Sequence, residues 1–422
     1  MRVFKFGGAS VKDGKAVKNV KNILDLYPTS QLVIVVSAMG KTTNVLEQIT
    51  DALYNNNVTL FNSLVSEIKD FHESILNELF PENNHTIFQE VADIFENLKN
   101  KLLFPTSENY DFEYDQIVSL GEVISTKIIA AYLSLTNKNT IWLDARKIIR
   151  TNNNYREGEV DWSKTQGLLQ ERIDANSDQR VFVTQGFVGH TSEGFTTTLG
   201  REGSDYTAGI FAFCLDAKDV TIWKDVPGML NADPKWFDNT VKLDSISFKE
   251  AIELSYYGAS VIHPKTIKPL QNKNIPLYVK SFLNPTEEGT VIQSSTIHDN
   301  LIPSFIFKLD QVLISITPKD FSFIVEENMS DIFKTLSEAN AKINIMQNSA
   351  LSFSVCLDKS KINLQELNMA LSLNYKVKYN EGLELVTIRH YDQATIDRVT
   401  KGKEILMEQK TRQTARLVLK SR

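Results

Sequence analysis

The sequence predicts an α/β protein: a three-layer sandwich around a mainly parallel central sheet, followed by a smaller ferredoxin-like α+β region. Two observations carry this expectation. From residue 1 to about 295, short continuous apolar runs alternate with helical stretches. Continuous rather than alternating apolar strands are what a sheet covered on both faces requires. From about 308 the order becomes strand, helix, strand, strand, helix, strand, which is the ferredoxin-like pattern. A chain of 422 residues is also too long for one ordinary domain.

The opening run, MRVFKFGGAS, puts Val3, Phe4 and Phe6 in a strand with Lys5 among them, and Gly7 and Gly8 end it. QLVIVVSA is the next strand, and residues 42–103 are nearly all helical in pattern, either a cover on the sheet or a lid. TIWLDA, RVFVTQG, DVTIWKD and IPLYVKS supply further strands, and SDYTAGIFAFCLDA reads as a helix. Residues 308–381 run through QVLISITP, SDIFKTLSEAN, KINIMQN, LSFSVCLD, NLQELNMALS and YKVKYN. Residues 382–422 then read as strand LELVTIRHY, helix TIDRVTKGKEILMEQ and strand ARLVLK, a partial repeat of the preceding unit. The Lys and Arg excess of this last stretch reads as a solvated face, with acidic partners as the second reading.

Composition narrows the function. With 42% hydrophobic and 23% charged residues the chain is a folded globular one, and its net charge of −6 argues against nucleic acid as a partner. Cys214 and Cys356 lie in apolar runs, which points to buried, unpaired thiols in a reducing cytoplasmic setting. The N-terminal stretch has no signal-peptide core, and no apolar run approaches membrane-spanning length, so no membrane partner is expected.

Polar or glycine-bearing loops follow four of the strands. Around Gly7, Gly8 and Ser10, bare amides can approach phosphate oxygens beside the Lys5 ammonium, although glycines also serve any tight turn. VSAMGKTTN carries Ser37, Gly40, Thr43 and Asn44. TTTLGREGSDY crowds Arg201, Glu202, Gly203, Ser204 and Asp205 between a strand and a helix. Ser204 or Asp205 can be an ordinary helix cap, and Arg201 with Asp205 a surface ion pair. That density of donors nevertheless suits a site handling two anions. WKDVPGMLNADP is turn chemistry after DVTIW, and SLGEVIST sets Glu122 near a helix start, where it can complement the dipole.

In chain order, KFGGAS, VSAMGKTTN, SLGEVIST, TTTLGREGSDYTA, DVPGMLNADP and LSYYGASVIHPKT closely resemble the motifs of aspartate kinases, members of the amino-acid kinase superfamily. The resemblance spans residues 1–295. Residues 308–381 look like the ACT regulatory domain of these enzymes, and 382–422 like part of a second one. It implies an amino-acid-kinase sandwich that transfers the γ-phosphoryl group of ATP, with Mg²⁺, to the β-carboxylate of L-aspartate. The product, 4-phospho-L-aspartate, begins lysine, threonine and methionine biosynthesis. A carboxylate nucleophile is ionised at neutral pH (pKa about 4) and needs no general base. His263 accordingly reads as structural.

Carried over residue by residue, the resemblance implies that Lys5 neutralises the transferring group and Asp205 orients it. Ser37, Thr43, Glu122, Arg201, Gly203 and Ser204 would form the aspartate side, with Glu122 on the α-ammonium and Arg201 on a carboxylate. Gly7, Gly8 and Ser10 would meet the phosphates. Trp223, Lys224, Asp225, Gly228, Leu230, Lys235 and Ser260 would border the nucleotide, and no protein group would ligate the metal directly. Lysine or threonine feedback is expected near Phe323, Ser330, Asn348 and Ser349, in a homodimer or higher homo-oligomer. Several positions depart from the family pattern. Ala9 replaces a usual Thr, Glu202 often a Gly, Lys224 a Thr, Leu230 a Tyr, Lys235 an Arg and Ser260 a Lys. Lys224 or Lys235 is expected to supply the charge missing at Ser260. Glutamate or acetylglutamate kinase, or a catalytically weak amino-acid sensor, are the alternative readings.

Overall fold

The structure, a computed structural model, describes residues 1–136, 139–237, 239–259, 262–320 and 322–421. The chain forms two compact units; the first comprises Met1–Met229, Lys242–Ser255 and Ser260–Asp299. Its strands are β1 (Arg2–Phe6), β2 (Leu32–Val36), β3 (Thr140–Leu143), β4 (Val181–Gln185), β5 (Val188–His190), β6 (Thr196–Thr198), β7 (Val220–Lys224), β8 (Ser245–Ser247), β9 (Leu277–Ser281) and β10 (Thr290–Gln293). Eight of them form one sheet in the order β3-β4-β2-β1-β7-β9-β10-β8, and β5 pairs with β6 separately. All pairings in the large sheet are parallel except β9 with β10.

The helices are α1 (Gly14–Asp25), α2 (Thr42–Tyr54), α3 (Val58–Leu79), α4 (Ile87–Asn100), α5 (Tyr110–Val118), α6 (Leu120–Leu135), α7 (Trp162–Asp174), α8 (Gly203–Cys214), α9 (Phe248–Tyr257) and α10 (Pro264–Asn272). Strand alternation sorts the side chains by face. Phe4, Phe6, Ile34, Val36 and Val183 share one core with α1 to α6. Val3, Lys5, Val33 and Val35 therefore point the other way, towards the face on which α8 packs against β1, β2 and β7. The 42–103 segment contributes Leu46, Phe61, Ile75 and Phe95 to the first core, so it covers the sheet. One expectation needs correction: Tyr110–Leu135, which joins α5 and α6, is long and apolar enough to span a membrane. Its apolarity serves the core instead, since 72% of that window is buried inside the unit.

The second unit comprises Leu230–Val241, Tyr256–Ala259 and Asn300–Arg422. It contains β11 (Ser304–Pro318), α11 (Glu326–Glu338), β12 (Ile343–Asn348), β13 (Phe353–Asp358), α12 (Leu364–Ser372), β14 (Tyr375–Arg389), α13 (Gln393–Thr400), β15 (Lys403–Lys410) and β16 (Thr414–Ser421). Its six strands make one antiparallel sheet, β12-β13-β11-β14-β16-β15. Val312, Ile314 and Ile316 of β11 pack with α11 and α12, while Phe305 of the same strand packs with α13. The expected boundary at 381/382 therefore falls inside β14, a strand shared by both halves, whose register with β11 shifts between Lys308 and Leu313. The expected helix over 395–409 is also corrected. Gly402, at φ +74°, turns the chain after α13, and β15 follows with Met407 buried.

Candidate active site

A cleft of about 820 Å³ in the first unit is lined by Lys5, Glu122, Arg201, Asp205 and Lys224, among others. It lies past the carboxyl ends of β1, β2 and β7, where parallel sheets present their loops to ligands. Lys5 is only 9% exposed, and its Nζ lies 2.6 Å from Asp205 Oδ1 in an ion pair. Lys224 Nζ stands 3.8 Å from the other oxygen, Oδ2, so two ammonium groups flank one buried carboxylate. The parity of β1 explains this meeting, because Lys5 is the charged member of the strand face that α8 covers.

The turn after β1 is shaped by what its glycines lack. A Cβ on Gly8 would come within 2.8 Å of the Ala38 carbonyl and 2.9 Å of that of Gly40, so the turn packs directly on the 38–40 loop. On Gly7 it would meet Lys5 Nζ at 3.3 Å, which leaves bare backbone beside the ammonium. At the start of α8, Glu202 holds a left-handed backbone (φ 53°) and no side chain caps the helix. Gly203 has no room for a side chain, since a Cβ would approach the Phe187 ring to 2.7 Å. The Gly203 N–H is taken by the Gly200 carbonyl at 3.0 Å, but no side chain caps the amides that follow it, and a helix start favours an anion.

Glu122, in the first turn of α6, is 3% exposed; its Oε1 accepts the Ala38 N–H at 3.2 Å, and its Oε2 has no partner among the described residues. Burial pushes its carboxyl up to about 8, against the opposing pull of the Ala38 N–H and Lys5. Ser37 and Thr43 line the same cleft. Arg201 is exposed there and makes no ion pair among the described residues.

Other expected site residues are not among those that line this cleft. Trp223 is 1% exposed and stacks on Phe6, so its indole belongs to the core and only its backbone is available at this position. Its carbonyl accepts the buried Ser10 hydroxyl at 3.4 Å, which ties the phosphate-loop candidate to β7. Gly228 (φ +151°) packs against Thr290, and Asp225 is exposed. Leu230 and Lys235 belong to the second unit, and Ser260 lies outside the described residues. His263 caps α10, accepting the Lys265 N–H at 3.1 Å. In the second unit, Phe323, Asn348 and Ser349 are exposed near one another, because Ile324 N–H donates to the Ala350 carbonyl at 3.0 Å; Ser330 is exposed on α11.

The cleft also has a wall that the motifs did not reveal. Glu47, Tyr114, Arg156 and Phe187 line it, beside Thr198 of the TTTLGREGSDY motif. The Tyr114 hydroxyl donates to Glu47 Oε1 at 2.6 Å, and the Arg156 guanidinium lies 4.3 Å from the Tyr114 ring centre. The polar run NNNYREGE was the available signal for Arg156, but nothing local ties it to Tyr114.

Among the described residues no three His, Cys, Asp or Glu side chains cluster as a metal site. The donor set fits a cation that arrives bound to phosphate oxygens, with Asp205 the acidic group nearest the two lysines.

Residues 1–281 match the amino acid kinase family. Lysine-sensitive aspartokinase 3 of Escherichia coli (strain K12) is 30% identical over 394 residues, which cover 92% of this chain and 86% of that protein. The crystal structure of E. coli aspartokinase III in complex with lysine and aspartate, in the T-state, matches with a TM-score of 0.81 at 27% identity, covering 99% of this chain and 95% of that one. The R-state structure with aspartate and ADP matches with a TM-score of 0.79 at 27% identity, covering 99% and 96%.

Proposed function

This chain belongs to the aspartokinases of the amino acid kinase family, and from that premise we propose how its own residues transfer the γ-phosphoryl group of ATP to the β-carboxylate of L-aspartate. Two anions must be pressed together, so the work is positioning and neutralisation. Lys5 meets the transferring group, and Asp205 holds the ammonium in place. The bare backbone of Gly7 and Gly8 and the uncapped start of α8, with Gly203 and Ser204, face the anions. Lys224 adds the second cation, which makes it the stand-in for the charge missing at Ser260. Mg²⁺, when bound with ATP, supplies further charge neutralisation on the phosphates, with Asp205 beside it.

On the aspartate side, Glu122 receives the α-ammonium and Arg201 a carboxylate, with Ser37 and Thr43 along the wall. The observation that carries this reading is the Glu122 carboxyl: buried, held by one oxygen, its other oxygen without a partner among the described residues, in the same cleft as the Lys5–Asp205 pair. A buried polar atom left unpaired is costly, and an incoming ammonium satisfies it. Glu47, Tyr114 and Arg156 complete the wall on this side.

The second unit is the effector-binding region of this reading, with residues 308–381 and 382–422 as ACT-like units. Lysine is favoured over threonine, because the relative reported above is named lysine-sensitive. The exposed apolar residues Phe323, Met346 and Leu351 suit self-association into a homodimer or a larger homo-oligomer. Two buried free thiols, Cys214 and Cys356, suit a reducing cytoplasm.

The test is hydroxamate trapping of the acyl phosphate with ATP, Mg²⁺ and each acidic amino acid. Aspartate should give product, and Glu122→Gln should raise the aspartate KM well above its effect on the ATP KM. Turnover of glutamate or N-acetylglutamate with none of aspartate would sink the reading.

A further inference from the structure

Two neighbouring residues of α5 carry polar groups that the mechanism leaves unused. Asp115 is fully buried, yet its carboxylate accepts three hydrogen bonds: the Arg156 N–H at 2.9 Å, the Thr198 N–H at 2.9 Å and the Thr198 hydroxyl at 2.7 Å. Beside it, the Gln116 amide pairs in both directions with Thr196, donating to its carbonyl at 2.9 Å and accepting its N–H at 3.2 Å. The two side chains therefore grip both ends of β6.

What β6 and α5 lead to makes this grip more than local. The chain leaves β6 through Leu199 and Gly200, turns at Arg201 and Glu202, and enters the first turn of α8, which carries Asp205. In the other direction α5 continues through Ser119 into α6, and Glu122 follows Asp115 by seven residues. Both carboxyls are buried, on either side of the Ser119 turn that joins the two helices. The same Asp115 oxygen that holds the Thr198 amide also holds that of Arg156, whose backbone is left-handed at φ 66°. A residue with a Cβ keeps that conformation only where its surroundings enforce it. A buried carboxylate is expensive, and burial pushes this one up to about 6 in spite of its three donors. Such an arrangement specifies geometry.

We propose that Asp115 and Gln116 are positioning residues that set the spacing between Glu122 and the 201–205 segment at the start of α8, and so make the cleft selective for the shorter of two acidic amino acids. The inference rests on the reading that Glu122 holds the ammonium and that the 201–205 segment, with Lys5, receives the carboxylate end. Aspartate and glutamate differ by one methylene, which a pocket distinguishes by about 10–200-fold only when its walls do not yield.

The experiment is steady-state turnover by the full chain of aspartate alone and in competition with glutamate, with the ATP KM measured in parallel. Gln116→Ala, at a half-buried position, and Asp115→Ala should each raise the aspartate KM and reduce the aspartate preference by about tenfold, with the ATP KM little changed. Asp115→Asn should restore most of the preference, because its amide oxygen can accept both backbone N–H groups while its NH₂ donates to Thr198 Oγ1. If Gln116→Ala and Asp115→Ala lower kcat while the aspartate KM and the preference stay at wild type, the residues are merely structural and the proposal is overturned. If Gln116→Ala folds and changes nothing, it is overturned as well. Glu122→Gln serves as the separate control. An unchanged aspartate KM there would remove the ammonium anchor itself, a failure distinct from that of the clamp.

Discussion

Burial with only one hydrogen bond to one oxygen keeps the Glu122 carboxyl largely protonated near neutrality, since desolvation raises it to about 8. The sign follows from linkage. A carboxyl raised on folding disfavours the folded state as pH climbs from its unfolded value, about 4.3, through about 8. Aspartate should reverse this, because its ammonium favours the ionised form. Aspartate binding is then expected to release a proton below about pH 8, and affinity to rise between about pH 6 and pH 8. Titration calorimetry in buffers of different ionisation enthalpy reads the proton directly, and Glu122→Gln should abolish it. Lys5→Ala should cost about 3 kcal/mol or more of transition-state stabilisation, measured as kcat/KM, because it strips the cation from a water-poor site. Lys224→Ala should raise the ATP KM by about tenfold, the scale of one charge-assisted contact; an unchanged KM would remove Lys224 as the stand-in for Ser260.

The turn after β1 shows how an element translates missing side chains into function. Gly8→Ala forces a Cβ against two carbonyls of the 38–40 loop at 2.8 and 2.9 Å, and backbone cannot swing aside. A loss of roughly 1–3 kcal/mol is expected, the scale of overpacking, read as a lower Tm. Gly7→Ala meets only the end of a flexible lysine, at 3.3 Å, from an extended backbone (φ −79°, ψ 171°). Its Tm should stay near wild type while kcat falls, because the added methyl crowds the ammonium. This turn was legible in advance, since a strand ending in two glycines is a local pattern. The helix that carries Glu122 was legible, but α5 and the clamp it forms were not. Asp115 and Thr198 are 83 residues apart, and no local pattern joins them.

At the scale of the whole molecule, the second unit borrows segments from inside the sequence of the first. Phe237 stacks on Phe305 with ring centres 4.4 Å apart, and the Arg398 guanidinium lies 3.8 Å from its ring centre. Phe237→Ala should cost about 3 kcal/mol or more of that unit's stability. Hydrogen exchange of the full chain should show faster exchange in β14 and β16, where Val386, Ile388 and Leu417 share the same cluster, with β1 and β2 unchanged. Slower or unaltered exchange in β14 would refute the assignment of 230–241 to this core. An apolar residue in a polar run, as in WFDNT, gives no sign of which core will take it.

The sequence by itself determined the alternation of strands and helices in the first unit, the glycine turn and the chemical types of the cleft, because apolar runs, glycines and charges are local facts. It also carried Lys5, Glu122, Arg201 and Asp205 as one constellation through a pattern of motifs. Tertiary structure decided the rest. It turned Lys5 onto the α8 face, left Glu122 Oε2 without a partner, and drew the Trp223 indole into the core. It added Arg156, Tyr114 and Glu47 to the cleft wall, and it turned the chain at Gly402 into a short helix and a strand where one long helix was expected. Burial, ionisation and pairing depend on neighbours in space, and those neighbours lie tens to hundreds of residues away along the chain.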